Sequence, residues 1–323
     1  MPISVLLTET YHPFLLTALA ETPRFRFVHL PQPTLAALQA ALSTAQIWIL
    51  RGAVPVEASL LAHAPKLRWV IRAGSGTEHI DKEALQARRI RLFTTPSANA
   101  ATVAEYVLMA VVLLARRILP AYHDLREKGV WSRRAYPGRE VASLTIGLIG
   151  YGTNGSRTAQ LLRLLGARLL AYDKYKSGFA TSGIEEVPLE RIWEEADICS
   201  LHIPLTPETK GWVAAEFLAK FRKPIALINA ARGEIVSLAA LAHALQIGKV
   251  WGAALDTLPY EPPYNLPPAE AEAWNYLRSH PAVLLTPHIA GLTEESELRL
   301  AKSILALLQR FPKGHPYTEQ HPI

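Results

Sequence analysis

The stretch Ile146–Asp173, "IGLIGYGTNGSRTAQLLRLLGARLLAYD", decides the fold class of this chain. Its apolar strand pattern ends in three glycines, Gly150, Gly152 and Gly155, spaced as G-x-G-x-x-G, and a helical pattern follows them directly. Glycines at these positions permit a tight turn and let a phosphate group approach the backbone at the positive end of the helix. Asp173 ends the next strand pattern about twenty residues further on, where its carboxylate can accept hydrogen bonds from a ribose. The stretch therefore predicts a dinucleotide-binding unit.

The acidic residue also predicts which dinucleotide is bound. The charge of Asp173 would repel the additional phosphate of NADP, so NAD is the expected cofactor. The neighbouring Lys174 could attract that phosphate, which leaves NADP as the alternative.

Short runs of apolar and β-branched residues alternate with helical patterns, which predicts parallel sheets covered by helices on both faces. The first third contains the strand candidates "ISVLLT", "FRFVHL", "AQIWIL", "RWVIRAG" and "RIRLFTT". A long helix that begins near Ala101 precedes the second series, "LTIGLIG", "ARLLAYD", "ADICSLHI", "IALINAA", "VWGAALD" and "AVLLTPH". The last helix, "EESELRLAKSILALLQRF", is expected to return to the first domain. The predicted fold is therefore α/β, with two doubly wound parallel-sheet domains, 1–98 plus 290–323 and 99–289, and a cleft between them.

Composition limits the function classes. The chain has 323 residues, 50% of them hydrophobic, which is enough to bury a large core in about two domains. An excess of 34 Lys and Arg over 28 Asp and Glu gives a net charge of +6 and an isoelectric point near 9.4. This balance suits anionic small molecules as well as nucleic acid. Because no dense run of Lys and Arg occurs, a nucleic-acid partner is not expected.

The single cysteine, Cys199, excludes an internal disulfide framework and fits a reducing cytoplasm. It lies in the apolar run "ADICSLHI", so it is expected in the core and not as a nucleophile. The amino terminus lacks a signal-peptide pattern. The most hydrophobic segment, "YVLMAVVLLA", is only about half a membrane span. We therefore expect a cytoplasmic protein with no membrane segment and no metal site.

Six short motifs occur in an order and spacing that resemble the D-isomer-specific 2-hydroxyacid dehydrogenases over nearly the whole chain. They are "RAGSGTEHID", "TTPSANAATVAEY", the glycine loop, "LINAARGEIVS", "GAALDTLPYEP" and "TPHIAG". The resemblance implies a flavodoxin-like catalytic domain built from the N-terminal part and the last helix. It further implies an inserted Rossmann domain that binds NAD, and a homodimer.

The resemblance also implies roles for single residues. Arg232 of "NAARGE" would anchor the substrate, Glu261 of "DTLPYEP" would partner the histidine, and His288 of "TPHIAG" would be the acid/base. Histidine suits proton transfer near neutral pH, and a guanidinium can hold a carboxylate with two hydrogen bonds. Taken singly, Arg232 and Glu261 could instead be solvated loop charges, and His288 a core histidine. The cofactor-binding positions implied are Gly150, Gly152, Thr153, Asn154, Gly155, Asp173, Ala230 and Asp256, the last near the nicotinamide ring.

The substrate is expected to meet two further groups of residues. By resemblance, the backbone around Ser75 and Gly76 would bind its carboxylate, and Arg51, Arg72 and Arg133 match positions that face the phosphate in phosphoglycerate dehydrogenases. Arg133 would reach the site from the partner subunit. The leading substrate pair is therefore 3-phosphoglycerate and 3-phosphohydroxypyruvate. Reduction of hydroxypyruvate or glyoxylate is the close alternative, and an NAD-sensing corepressor with weak turnover is the alternative from another class.

The sequence departs from the family pattern at three points. Asn154 stands where a branched apolar residue is common, and it is expected either to weaken helix packing or to help cap the helix. The connection "YNLPPAEAEAWNYLRSH" before the histidine is longer than usual, and the Pro-rich "LPYEPPYNLPPAE" is expected to be a loop. The chain ends at Ile323, so no regulatory domain and no serine feedback are expected.

Overall fold

The structure, a computed structural model, describes residues 2–263 and 266–312. Contacts divide the chain into two units. Unit 1 consists of Met1–Ala98 with Glu294–Ile323, and unit 2 consists of Asn99–Thr293.

Unit 1 is a five-stranded parallel sheet with helices on both faces. Its strands are β1 (Ile3–Thr8), β2 (Phe25–Leu30), β3 (Ile47–Leu50), β4 (Trp69–Arg72) and β5 (Arg91–Thr94). They lie in the order β2-β1-β3-β4-β5. Its helices are α1 (Pro13–Ala20), α2 (Leu35–Leu42), α3 (Ala58–Leu61), α4 (Lys82–Ala87) and α12 (Glu294–Gln309).

The sheet of unit 1 is apolar on both faces because successive side chains point to opposite sides. Val5 and Leu7 lie in one core with α1 and α12, whereas Leu6 and Trp48 lie in the other core with the remaining helices. The last helix therefore packs within unit 1.

Unit 2 is a seven-stranded parallel sheet in the order β12-β11-β10-β9-β6-β7-β8. Its strands are β6 (Thr145–Ile149), β7 (Arg168–Tyr172), β8 (Ile184–Glu186), β9 (Ile198–Leu201), β10 (Ile225–Asn229), β11 (Val250–Leu255) and β12 (Val283–Leu285). Its helices are α5 (Ala100–Ala115), α6 (Ile118–Lys128), α7 (Thr153–Arg163), α8 (Leu189–Glu195), α9 (Ala215–Ala219), α10 (Leu238–Gln246) and α11 (Pro268–Ser279). The α/β prediction with two parallel sheets is confirmed.

Two elements of unit 2 were not expected from the sequence. The edge strand β8 is short and carries two glutamates, so it lacks the apolar run that marks the other strands. The second is α11, which lies within the connection that was expected to be longer than usual. The expectation of a loop throughout "LPYEPPYNLPPAE" is wrong at its last three residues, 268–270, where α11 begins. Its first residue is a proline, which a first helical turn accepts because no intrahelical partner is needed there. Residues 264 and 265 of that connection lie outside the described part.

The apolar segment after residue 105 forms most of α5. Ten residues of this helix are buried, and seven of them lie in one core of unit 2. Among the described residues, no helix combines the length and apolar character that a membrane span requires. Cys199 is buried in the opposite core, and burial raises the pKa of its thiol to about 12, so it is not a nucleophile.

Candidate active site

The glycine loop lies at the point of the unit 2 sheet where the strand order reverses. The chain leaves β6 toward β7 on one side and later returns to place β9 on the other side. The carboxyl ends of two such strands form the usual ligand crevice of an open α/β sheet. Gly150 follows β6 directly, and His202 follows β9. Burial lowers the pKa of His202 to about 4, so this histidine is neutral, and its Nε2 lies 3.0 Å from the Ser200 hydroxyl.

The glycines of this loop fit a dinucleotide. Gly150 has a φ of +99°, and a Cβ there would lie 2.4 Å from the carbonyl oxygen of His202. A Cβ on Gly155 would lie 2.0 Å from the Gly150 carbonyl oxygen, so this glycine lets helix and loop pack closely. At Gly152, by contrast, a Cβ would meet no atom within 4 Å, which leaves the open space that a pyrophosphate needs. The residues present therefore fit the dinucleotide.

Asp173 follows β7 and is tied to the glycine loop. Its Oδ2 accepts a hydrogen bond from the Tyr151 amide at 2.7 Å, and its Oδ1 accepts from the amides of Tyr175 and Lys176 at 2.9 and 3.0 Å. The carboxylate is thus held at the strand end, where a ribose would be bound. Its neighbour Lys174 forms an ion pair with Glu208, which partly neutralises the charge that NADP would need.

The expectation that Asn154 helps to cap the helix is wrong. Gly152 is the N-cap of α7, and no side chain caps it. Thr153 and Asn154 are the first two residues inside the helix, where amides have no intrahelical acceptor. The Oδ1 of Asn154 is buried without a hydrogen-bond partner. The backbone amides of Thr153 and Asn154 are therefore the donors that the helix could offer to a phosphate.

His288 and Glu261 form a hydrogen-bonded pair. The Nδ1 of His288 lies 2.7 Å from Oε2 of Glu261, and the other oxygen, Oε1, accepts from the Leu258 amide at 2.9 Å. The hydrogen bond with Glu261 raises the pKa of His288 above its ordinary value of 6.5, although burial acts in the opposite direction. Burial alone would raise the pKa of Glu261, but the His288 hydrogen bond and the Leu258 amide lower it overall. The pair therefore favours a protonated imidazole beside a charged carboxylate.

The backbone of His288 adopts an unusual conformation, with a φ of +57°. Non-glycine residues rarely occupy this region, and they do so where the surroundings hold them there. Asp256, which is 1% exposed, holds His288 in this conformation. Its carbonyl oxygen accepts from the His288 amide at 2.7 Å, and its carboxylate accepts from the amides of Ile289 and Ala290 at 2.9 and 2.8 Å. Asp256 therefore fixes the turn that presents His288.

Arg232 and Ala230 lie in the turn after β10. The Asn229 side chain closes this turn by donating from Nδ2 to the Arg232 carbonyl oxygen at 2.9 Å and accepting from the Ala231 amide at 3.1 Å. The guanidinium donates to the Ala231 carbonyl oxygen at 2.7 Å and acts electrostatically on both Glu261 and His288. The next residue is Gly233, where a Cβ would lie 1.8 Å from the Leu258 carbonyl carbon. This contact packs the Arg232 turn against the loop that carries Glu261.

Two hydroxyl groups form a hydrogen-bonded chain to the Asp256 carboxylate and were not identified from the sequence. Thr286 donates from Oγ1 to Oδ1 of Asp256 at 2.6 Å, and the Tyr106 hydroxyl lies 2.7 Å from the same Oγ1. Because Thr286 donates to the carboxylate, Tyr106 is the donor to Thr286. A signal for Thr286 exists, since it stands two residues before His288 in "LLTPHIAG". Tyr106 lies 180 positions away and has no local signal.

The substrate-binding residues expected in unit 1 follow its strands. Gly74 is the turn residue with positive φ, at +141°, and its amide donates to the Thr95 hydroxyl at 2.8 Å. Ser75 after it is exposed and Gly76 is buried. Arg72 ends β4, and Arg51 follows β3, where its guanidinium is bound by Glu297. In unit 2, Arg133 lies in the exposed segment between α6 and β6.

Comparison with known proteins agrees with this geometry. Residues 108–290 match the family model described as D-isomer specific 2-hydroxyacid dehydrogenase, NAD binding domain. The chain is 35% identical over 302 residues to D-3-phosphoglycerate dehydrogenase of Mycobacterium bovis and 34% identical over 292 residues to that of Bacillus subtilis. These alignments cover 93% and 90% of this chain but 55% and 54% of the relatives. The chain thus spans about half the length of the curated relatives that it matches.

Among solved structures, D-lactate dehydrogenase from Aquifex aeolicus, in complex with NAD and lactic acid, superposes with a TM-score of 0.84 at 25% identity. The superposition covers 94% of each chain. The glycine loop, Asp173 and the hydrogen-bonded pair of His288 and Glu261 thus occur in a chain whose sequence and fold match the same group of enzymes. The chain belongs to the D-isomer-specific 2-hydroxyacid dehydrogenase family, and its unit 2 is the NAD-binding domain of that family.

Proposed function

We propose that this protein is an NAD-dependent oxidoreductase that transfers a hydride between nicotinamide and a short D-2-hydroxy acid or 2-keto acid. The observation that carries the proposal is the 2.7 Å pair of His288 and Glu261, with Arg232 acting electrostatically on both. In this proposal unit 2 binds the dinucleotide and carries the acid/base.

Bound NADH would supply the hydride that reduces the keto carbon. Because Nδ1 of His288 is engaged by Glu261, Nε2 is the atom that would donate the proton to the keto oxygen. Glu261 would keep the imidazole protonated before this step and orient its ring. Arg232 would hold the substrate carboxylate through charge-assisted hydrogen bonds. In the oxidation direction, the neutral imidazole would take the proton back.

Two substrate pairs are candidates. The names of the curated relatives support 3-phosphoglycerate and 3-phosphohydroxypyruvate as one pair. For this pair, Arg51, Arg72 and Arg133 would face the phosphate, and the backbone around Ser75 and Gly76 would bind the carboxylate. The second candidate is the reduction of hydroxypyruvate or glyoxylate. It is favoured by one observation, the contact of Arg51 with Glu297, which occupies a guanidinium that a phosphate would need.

We also propose a homodimer in the cytoplasm. Support for the dimer comes from α6, which has no buried residue in the described structure although Ile118, Tyr122 and Leu125 lie along it. Exposed apolar faces of this kind are typical of subunit interfaces. The single cysteine, Cys199, supports a reducing compartment.

The test is the oxidation of NADH in the presence of phosphohydroxypyruvate, hydroxypyruvate, glyoxylate or pyruvate. Turnover of at least one of these acids supports the proposal. Tight binding of NADH without turnover of any acid would instead support the alternative of an NAD-sensing corepressor.

A further inference from the structure

The sheet of unit 1 has its own reversal point, between β1 and β3. The chain leaves β1 for β2 on one side and later places β3 on the other side. In open α/β sheets, ligands bind at the carboxyl ends of the strands that flank such a point. The residues that follow these two strands are Glu9 and Arg51.

Arg51 is already bound by two acidic side chains of unit 1. Its Nη1 and Nη2 each donate to one oxygen of the Glu297 carboxylate at 2.6 Å, and Nη1 also donates to the Thr10 carbonyl oxygen at 3.1 Å. The backbone amides of Arg51 and Ala53 donate to the carboxylate of Glu9. The Nη1–Nη2 edge of the guanidinium, which can bind a planar or tetrahedral anion with two hydrogen bonds, is therefore occupied by Glu297.

The charges around this point are balanced. Glu9, Arg51, Arg72 and Glu297 all act electrostatically on the hydroxyl of Tyr11, and together they carry two negative and two positive charges. Tyr11 is 5% exposed, its hydroxyl has no hydrogen-bond partner, and burial raises its pKa well above the ordinary value. The side chains of Arg51 and Glu297 are 32% and 18% exposed, so water screens their ion pair only in part. An added dianion would either meet the carboxylates or have to displace Glu297 from Arg51.

We propose that Glu297 is a specificity-determining residue that rejects substrates with a phosphate at the end remote from the keto group. The acid that this protein reduces is then a short 2-keto acid with an uncharged end, such as a hydroxymethyl group or hydrogen. This inference rests on the proposed function and selects the substrate class within it. Repulsion of a competitor by a like charge is a common source of specificity.

The test compares Glu297→Gln with Glu295→Gln. The second variant removes an equal charge from an exposed position in the same helix, α12, so it controls for net charge and for general effects on the helix. The measured quantity is the ratio of kcat/KM for phosphohydroxypyruvate to kcat/KM for hydroxypyruvate, since a general loss of folded enzyme cancels in this ratio. We expect Glu297→Gln to raise the ratio about 10- to 100-fold, the range that one charge-assisted hydrogen bond supplies, and Glu295→Gln to leave it unchanged.

Addition of Arg51→Ala to Glu297→Gln should abolish the increase, because Arg51 is the group that the substitution releases. An unchanged ratio in Glu297→Gln, an equal change in Glu295→Gln, or a native enzyme that prefers the phosphorylated acid would each overturn the inference.

Calorimetric titration with 3-phosphoglycerate and D-glycerate separates this inference from the proposed function, because it needs no turnover. We expect Glu297→Gln to bind 3-phosphoglycerate more tightly than the native protein does, with D-glycerate little affected. If no 2-keto acid is turned over, the proposed function fails, and the titration still decides whether Glu297 excludes phosphate. Equal affinities of both proteins for 3-phosphoglycerate would contradict the inference even if turnover is found.

Discussion

The imidazole of His288 and the carboxylate of Glu261 are joined by a hydrogen bond of 2.7 Å between Nδ1 and Oε2, although the residues lie 27 positions apart. The pKa of His288 is raised and that of Glu261 is lowered, so the pair is ionised over a wider pH range than either group alone would be. In the proposed reduction of a keto acid, the proton donor would therefore persist above the ordinary histidine pKa of 6.5.

Replacement of Glu261 by Gln should shift the pH profile of reduction. Reduction needs the protonated imidazole, so activity is lost as the pH rises through the pKa of His288. Without the carboxylate, burial lowers that pKa, and the alkaline limb of kcat/KM should move to lower pH. Glu216→Gln, at an exposed position of α9, serves as the control. A limb that stays in place in Glu261→Gln would mean that Glu261 does not set the proton affinity of His288.

Asp173→Asn should weaken the discrimination between the two nicotinamide dinucleotides. The substitution removes the negative charge but keeps a side chain that can accept from the Tyr151 amide. We expect weaker NADH binding and a higher affinity for NADPH, measured by fluorescence titration of each. If both dissociation constants equal those of the native protein, Asp173 only closes the turn after β7.

Thr286→Val should loosen the turn that carries His288. The substitution leaves the Tyr106 hydroxyl without its acceptor and removes one of the hydrogen bonds to the buried carboxylate of Asp256. A loss of about 1 to 3 kcal/mol in the free energy of unfolding is expected for a buried partner left unsatisfied. Urea denaturation measures this change in the free energy of unfolding. The pH profile of activity separately shows whether the pKa of His288 has changed in the variant. A stability equal to that of the native protein would show that the hydroxyl chain does not hold this turn.

Leu125→Asp should convert the proposed dimer to monomer, because it places a charge on the exposed apolar side of α6. Leu35→Asp changes an exposed leucine of α2 in unit 1 and is the matched control. Light scattering after gel filtration gives the mass of each. A native monomer, or a Leu125→Asp protein of dimer mass, would contradict the proposed interface.

Much of the fold could be predicted because its signals are local. The strand patterns, the glycine spacing and the helix that follows it are each contained within about thirty residues, the length of one βαβ unit. The edge strand β8 was not predicted, because an edge position tolerates the charged sequence "IEE", which lacks the apolar pattern of a strand. The helix α11 was not predicted, because the prolines around its first residue are typical of a loop.

The site was only partly predictable, because its decisive contacts join distant parts of the chain. Arg51 and Glu297 are 246 positions apart, and no periodicity or motif relates them. A basic side chain after a strand suggests an anion site, and only the three-dimensional structure shows that a carboxylate of the same unit already occupies it. Likewise, Asp256 matched a cofactor-binding position in the sequence, whereas in the structure its carboxylate binds the amides that follow His288.

The central claim is that His288 carries the proton in the reduction of a 2-keto acid. The most direct measurement is steady-state NADH oxidation by His288→Asn with the best acid of the panel, beside His243→Asn, an exposed histidine of α10. The account predicts a loss of about 10²- to 10⁴-fold in kcat for His288→Asn, the usual contribution of a general acid, with NADH affinity retained and His243→Asn fully active. A His288→Asn enzyme with native turnover and a native pH profile would contradict it.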